Sequence, residues 1–167
     1  VYTQPVSFPV WDRGFESAAI VAPTPQSLNV TALGGSIGTP EGGLRAPVVA
    51  FADVAELEKA PAGSLRGKIA YVGNRMQRAR DGSGYGPAVA ARVGGAVFAA
   101  RAGAVALLIR SIGTDAQART PHTGTMRYDN MLTRIPAAAI GNIDADALEA
   151  ALALGATTVE LNLGSRV

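Results

Sequence analysis

The chain has 167 residues, of which 48% are hydrophobic and 17% charged; an average globular protein has about 25% charged residues, so we expect one folded domain rather than a disordered chain. Fifteen basic and 13 acidic side chains leave a net charge of +2, a surplus too small to predict nucleic-acid binding. The chain has no cysteine and a single histidine, His122, which excludes disulfides, cysteine nucleophiles and zinc sites built from thiolates or several imidazoles.

The start of the chain predicts short strands separated by glycine-rich turns. Residues 1–16 carry a brief apolar alternation broken by prolines, which is typical of an edge strand or a linker. Residues 28–33 alternate with period two and predict a strand. Five glycines and a proline in residues 34–43 then predict a long loop, the serine loop.

A short helix and a central strand follow. Residues 47–51 form a short apolar run, and Asp53 precedes Glu56 by three residues, a capping-box spacing that predicts one or two helical turns ending before Pro61. In residues 68–73 every side chain after Lys68 is apolar or absent, so we expect a strand covered on both faces and central in its sheet.

The longest predicted helix covers residues 88–102. Pro87 suits the first helical position and Gly103 the C′ position after the last turn. Gly94 and Gly95 lie in its interior, where each costs about 1 kcal/mol relative to alanine. We therefore expect both glycines to let the helix lie close to the sheet.

The remaining elements complete a β-rich pattern. Residues 104–109 and 135–140 predict two more buried strands. Asp144 or Asp146 is expected to cap a second main helix, and residues 158–163 alternate as a final strand.

The serine loop contains a G-x-S-x-G motif in residues 34–38. Its Ser36, followed later in the chain by aspartates and then His122, has the residue order of an α/β-hydrolase triad. That nucleophile needs a helix directly after it, whereas glycines and a proline follow here. A serine hydrolase that uses Ser36 is therefore kept only as a third hypothesis, which reaction with a fluorophosphonate probe would test.

Two further loops carry polar residues. Residues 81–86 precede the long helix near three arginines; they fit either an anion-binding nest or a flexible surface loop. The histidine loop, residues 120–129, combines His122 with hydroxyl, guanidinium and phenol groups. Loops on a rigid scaffold often carry binding groups, although a lone histidine is more often structural.

Several short motifs are spread over nearly the whole chain. They are residues 11–18, 33–40, 67–69, 100–104, 108–111, 121–124, 135–137 and 144–146. In this order they resemble the protease-associated domain that is inserted in di-zinc exopeptidases of the aminopeptidase and plasma glutamate carboxypeptidase (carboxypeptidase Q-like) type. Gly-Ser-Ile-Gly-Thr-Pro at 35–40 and Pro-His-Thr-Gly at 121–124 resemble the carboxypeptidase Q-like branch in particular.

The resemblance implies a β-rich α/β fold, a β-barrel or sandwich flanked by two main helices. Residues 17–163 would form the protease-associated domain. Residues 1–16 would arrive from a catalytic domain outside this sequence, and residues 164–167 would lead back to it. The chain begins with Val1 rather than methionine, as expected for a piece of a longer protein.

The resemblance also implies a function. This chain would be the non-catalytic lid and substrate-recognition module of a secreted or periplasmic zinc exopeptidase. Its partners would be its own catalytic domain, which would hold two zinc ions, and a peptide or dipeptide substrate. The expected contacts are Ser36, His122, Thr123, Arg127 and Tyr128, and no metal is expected in this chain. The second hypothesis is a protein–protein interaction or homodimerisation module. No apolar run is long enough to predict a membrane span.

Overall fold

The computed structural model describes all 167 residues and contains eight strands and three helices. The strands are β1 (Glu16–Ala22), β2 (Gln26–Leu28), β3 (Val30–Ala32), β4 (Leu44–Phe51), β5 (Ile69–Val72), β6 (Ala106–Arg110), β7 (Ala137–Ile140) and β8 (Thr158–Leu163). The helices are α1 (Val54–Glu58), α2 (Tyr85–Arg101) and α3 (Asn142–Leu154). The β-rich α/β prediction with two main helices is confirmed.

The strands form one mixed sheet that curls into a nearly closed barrel. Their order is β2-β1-β8-β4-β5-β6-β7-β3. The first half of β4 pairs antiparallel with β8, and its second half pairs parallel with β5. Near the two edges, Ala32 N–H on β3 donates to Glu16 Oε1 on β1 at 2.6 Å. This bond bridges the remaining gap.

Two apolar cores lie on opposite faces of β5, β6 and β7. The inner core joins side chains from all eight strands and α3. The outer core packs α1 and α2 against the other face of the three strands. Successive side chains of a strand point to opposite faces, so Ile69 and Tyr71 lie in the inner core while Ala70 and Val72 lie in the outer one. The predicted central strand, covered on both faces, is confirmed.

Two of the predicted helix caps are confirmed, at the start of α1 and at the end of α2, whereas α2 begins at Tyr85 rather than at Pro87. Asp53 Oδ1 accepts a hydrogen bond from Glu56 N–H at 2.8 Å and so caps α1. Gly103 ends α2 with φ +86°, and Ala104 N–H donates to Ala99 O at 2.9 Å. This is the hydrogen-bond pattern of a Schellman cap, which satisfies carbonyls at the helix end.

The predicted strand at 28–33 is divided at Asn29. Its two halves lie at opposite edges of the sheet, β2 beside β1 and β3 beside β7. Asn29 N–H and Nδ2 both donate to Asp144 Oδ2, at 2.9 and 2.7 Å. Asp144 is fully buried and holds this corner instead of capping α3, which begins after Gly141. The expectation that Asp144 or Asp146 caps the helix was wrong.

Only one of the two helix glycines contacts the sheet. A Cβ atom at Gly95 would lie 3.0 Å from Leu107 Cδ2 on β6. A Cβ atom at Gly94 would meet only Phe98 of its own helix, at 3.6 Å. The close approach is therefore confirmed for Gly95 and was wrong for Gly94.

Candidate functional site

The serine loop and the histidine loop lie against each other. Gly34 N–H donates to Gly124 O at 2.9 Å, and Ile37 N–H donates to the Tyr128 hydroxyl at 2.9 Å. The two loops are 91 positions apart at the second bond, so only the fold unites them. The polar residues that the sequence singles out therefore belong to one surface of the domain.

Ser36 is buried at the base of this surface, with 1% of its area exposed. Its Oγ donates to Ile37 O and accepts from Ala137 N–H, each at 2.8 Å, while its carbonyl accepts from Trp11 Nε1 at 2.8 Å. A nucleophilic serine transfers its hydroxyl proton to a neighbouring base. The Ser36 hydroxyl instead donates its hydrogen bond to a backbone carbonyl, which cannot act as that base. Ser36 braces the serine loop against β7.

Thr123 and Tyr128 are half-buried and fasten the histidine loop. Thr123 Oγ1 donates to Ala32 O at 2.7 Å. The Tyr128 hydroxyl donates to Ile135 O at 2.7 Å, and the Arg134 guanidinium lies 5.4 Å from the centre of the Tyr128 ring. These contacts give the loop a fixed shape, because each hydroxyl satisfies a backbone group that the loop would otherwise leave unpaired.

His122 and Arg127 are the two predicted contacts with exposed side chains. His122 N–H donates to Ser111 Oγ at 2.8 Å, and Arg127 N–H donates to Val93 O on α2 at 3.1 Å. The backbone at both positions is thus fixed while the imidazole and the guanidinium stay accessible. These two groups are the ones available to bind a ligand.

A second polar cluster, which the sequence analysis missed, lies at the carboxyl ends of β5 and β6. The Arg110 side chain is 1% exposed, and its Nη2 lies 2.8 Å from carboxylate oxygens of both Asp146 and Glu149. The Tyr71 hydroxyl donates to Glu149 Oε1 at 2.9 Å. A cavity of about 440 Å³ adjoins this cluster.

The environment of Arg110 keeps it charged. Burial acts to lower the pKa of its guanidinium, but the interactions with Tyr71, Glu149 and Asp146 outweigh burial and raise it. The one available sequence signal is a charged residue at the end of an otherwise apolar strand. Its partners on α3 have the spacing of an ordinary solvated helix face, so the sequence does not reveal the pairing.

The loop at 81–86 has the hydrogen bonding of a surface turn. Asp81 Oδ1 accepts from Ser83 N–H at 3.0 Å, and the hydrogen bonds with Ser83 lower the pKa of the Asp81 carboxyl. An anion-binding nest needs such amides to be free, and the loop's own carboxylate takes this one. The surface-loop alternative is therefore favoured.

No set of three or more His, Cys, Asp or Glu side chains is arranged to hold a metal ion. None of the helices combines the length and apolar character needed to cross a membrane.

Several carboxypeptidase Q proteins match the chain over nearly its whole length. Carboxypeptidase Q from Xenopus laevis is 40% identical over 166 residues, which are 99% of this chain and 34% of that protein. The chain is homologous to one part of carboxypeptidase Q. Its resemblance to a domain of such exopeptidases is confirmed, and it spans about a third of the relatives' length. No family model matches the chain.

Solved structures agree with this relationship. The peptidase M28 precursor from Shewanella amazonensis SB2B is 50% identical, with a TM-score of 0.91, over 99% of this chain and 37% of that one. A zinc aminopeptidase from Bacillus subtilis shares the fold alone, with 20% identity and a TM-score of 0.53 over 93% of this chain and 32% of its own. The barrel thus fits the predicted protease-associated domain.

Proposed function

We propose that this chain is the non-catalytic lid and substrate-recognition domain of a zinc-dependent exopeptidase. The observation that carries the proposal is the match of 99% of the chain to only 34% of carboxypeptidase Q. A region of that size leaves room in the parent protein for a separate catalytic domain. The proposed location, secreted or periplasmic, follows from the family resemblance.

The contacts between the two ends of the chain support an inserted domain. Asp12 N–H donates to Arg166 O at 2.8 Å, and Arg166 N–H donates to Asp12 O at 2.9 Å. An inserted domain needs its incoming and outgoing segments side by side. We therefore propose residues 17–163 as the domain, with 1–16 and 164–167 as its connections to the catalytic domain.

The zinc ions belong outside this chain in our proposal. The only histidine, His122, has no second imidazole or thiolate near it, and no group of side chains here suits a metal. The residues present therefore do not fit a zinc site. We assign two zinc ions and the hydrolytic step to the catalytic domain.

The recognition role rests on the two accessible side chains of the histidine loop. An exposed guanidinium and imidazole on a fixed backbone can bind carboxylate and carbonyl groups of a peptide. Ser36, Thr123 and Tyr128 support this role indirectly, because their hydrogen bonds hold the loop in place.

The test is substitution of the exposed pair in the intact parent enzyme. A hydrogen bond to a charged group contributes about 1.5 to 3 kcal/mol, so His122→Ala or Arg127→Ala should lower kcat/KM by about 10- to 150-fold. Zinc content should stay unchanged. Lys59→Ala, at an exposed position at the end of α1, is the matched surface control.

Wild-type kcat/KM in both variants would contradict the proposal. So would losses that simply follow a fall in melting temperature, because the loop would then be structural. If the variants instead changed the sedimentation of the parent from dimer to monomer, the dimerisation hypothesis would replace it.

A further inference from the structure

The peptide group that joins Ser36 to Ile37 lies between the incoming connection and the histidine loop. Its carbonyl oxygen, on Ser36, accepts a hydrogen bond from Trp11 Nε1 at 2.8 Å. Its amide, on Ile37, donates to the Tyr128 hydroxyl at 2.9 Å. A peptide group is planar and turns as one unit. Trp11 in the connection and Tyr128 in the histidine loop are therefore hydrogen-bonded to opposite ends of the same rigid group.

These hydrogen bonds form a series with one direction. The Tyr128 hydroxyl, which accepts from Ile37, donates onward to Ile135 O at 2.7 Å. Each group between the Trp11 indole and the Ile135 carbonyl thus accepts one hydrogen bond and donates the next. Such bonds polarise one another, so each is stronger than it would be alone. Loss of the bond at one end of the series should therefore weaken the bond at the other end.

The serine loop also holds the outgoing connection. Thr39 N–H donates to Leu163 O at 2.9 Å, and Leu163 N–H donates to Thr39 Oγ1 at 3.1 Å. Leu163 ends β8 and directly precedes residues 164–167. At Gly38 a Cβ atom would lie 2.6 Å from Leu163 O, so the loop and the strand end are in direct contact. The two connections therefore cannot shift relative to the barrel without displacing the serine loop.

We propose that Trp11 is a positioning residue that couples the connections to the histidine loop through the peptide group between Ser36 and Ile37. A change in the angle at which this domain meets the catalytic domain is transmitted along the series to Tyr128, and so to the neighbouring Arg127. A ligand held by Arg127 acts on the connections in return, because a coupling free energy is reciprocal. The inference rests on the proposed function and extends it, by linking the recognition loop to the orientation of the domain.

The first test follows the indole N–H of Trp11 in the 167-residue chain. Trp11 is the only tryptophan, so its indole gives a single signal in a proton–nitrogen NMR correlation spectrum. Tyr128→Phe removes the hydroxyl and keeps the ring; it should move the indole proton signal upfield, because the Ser36 carbonyl becomes a weaker acceptor. Tyr2→Phe is the matched control, since it removes the same group from a side chain that is 90% exposed, and it should leave the signal in place.

The second test asks whether the two residues act as a unit in the intact parent enzyme. Trp11→Phe and Tyr128→Phe should each raise KM and lower kcat/KM by about 2- to 10-fold, the range expected for loss of a neutral hydrogen bond, with kcat retained. The double variant should lose no more than the weaker single variant, because removal of either residue already interrupts the series. Zinc content should stay unchanged, and Lys59→Ala again serves as the surface control.

An indole signal that stays in place in Tyr128→Phe, or that moves equally in Tyr2→Phe, would overturn the inference. So would a wild-type KM in Trp11→Phe alongside a loss in Arg127→Ala, or a double variant whose loss equals the product of the two single losses. The NMR result does not depend on catalysis. If the indole signal moves as expected while His122→Ala and Arg127→Ala both keep wild-type kcat/KM, the coupling stands and only the proposed function is refuted.

Discussion

At the scale of single residues, the polar side chains of the two loops fall into two groups, those that hold the backbone and those that stay accessible. Ser36 and Tyr128 carry hydroxyls of the kind that bind substrates, yet both hydroxyls form hydrogen bonds with backbone atoms of the domain itself. His122 and Arg127 leave their side chains free. The residue types alone indicate candidate loops, but not which side chains on them are accessible, because accessibility depends on partners distant in the sequence.

Tyr71 gives a prediction about alkaline stability. Burial raises the pKa of its phenol; Arg110 acts in the opposite direction, and Glu149 raises the pKa further, with a net increase above the ordinary value of about 10. Above pH 10 the unfolded chain therefore loses this proton while the folded chain keeps it. The free energy of unfolding should fall as pH rises through this range, by up to about 1.4 kcal/mol per pH unit from this group.

Tyr71→Phe removes the ionisable group and should remove that part of the pH dependence. At neutral pH the variant should lose about 1 kcal/mol, because its hydrogen bond to Glu149 is absent. Urea denaturation of both proteins at pH 8 and at several values above pH 10 measures the difference. Parallel stability profiles above pH 10 would show that the Tyr71 proton is not held by the fold.

At the scale of elements, Gly94 and Gly95 offer a matched pair on one helix. Alanine at Gly94 has room and should stabilise α2 by up to about 1 kcal/mol through helix propensity. Alanine at Gly95 gains the same propensity but lies 3.0 Å from Leu107 Cδ2, so Leu107 must shift and part or all of the gain is lost. Thermal unfolding should rank Gly94→Ala above Gly95→Ala. A reversed order would mean that α2 does not rest on β6 through Gly95.

Elements whose signals are local were predictable from the sequence. The capping box at Asp53 and the period-two alternation of β8 depend on residues a few positions apart. The break at Asn29 was not predictable, because the bond that fixes it reaches Asp144, 115 positions away. The partners of Arg110 were not predictable for the same reason. The contact between the two candidate loops also became evident only from the fold.

At the scale of the whole molecule, the two cores share their strands. Residues 69 and 71 of β5 belong to the inner core and residues 70 and 72 to the outer one; β6 and β7 alternate in the same way. The cores are of nearly equal size, with 17 and 16 buried residues, so neither is a minor satellite of the other. Displacing α1 and α2 would expose one face of the strands on which the barrel depends.

This sharing predicts that the chain unfolds in a single cooperative transition. Loss of either core would expose β5, β6 and β7 on one face, so a state with one intact core should not accumulate. Near-ultraviolet circular dichroism, which reports side-chain packing, and far-ultraviolet circular dichroism, which reports secondary structure, should give coincident melting curves. A near-ultraviolet transition that precedes the far-ultraviolet one would show that side-chain packing is lost while secondary structure remains, and the prediction of a single transition would then be wrong.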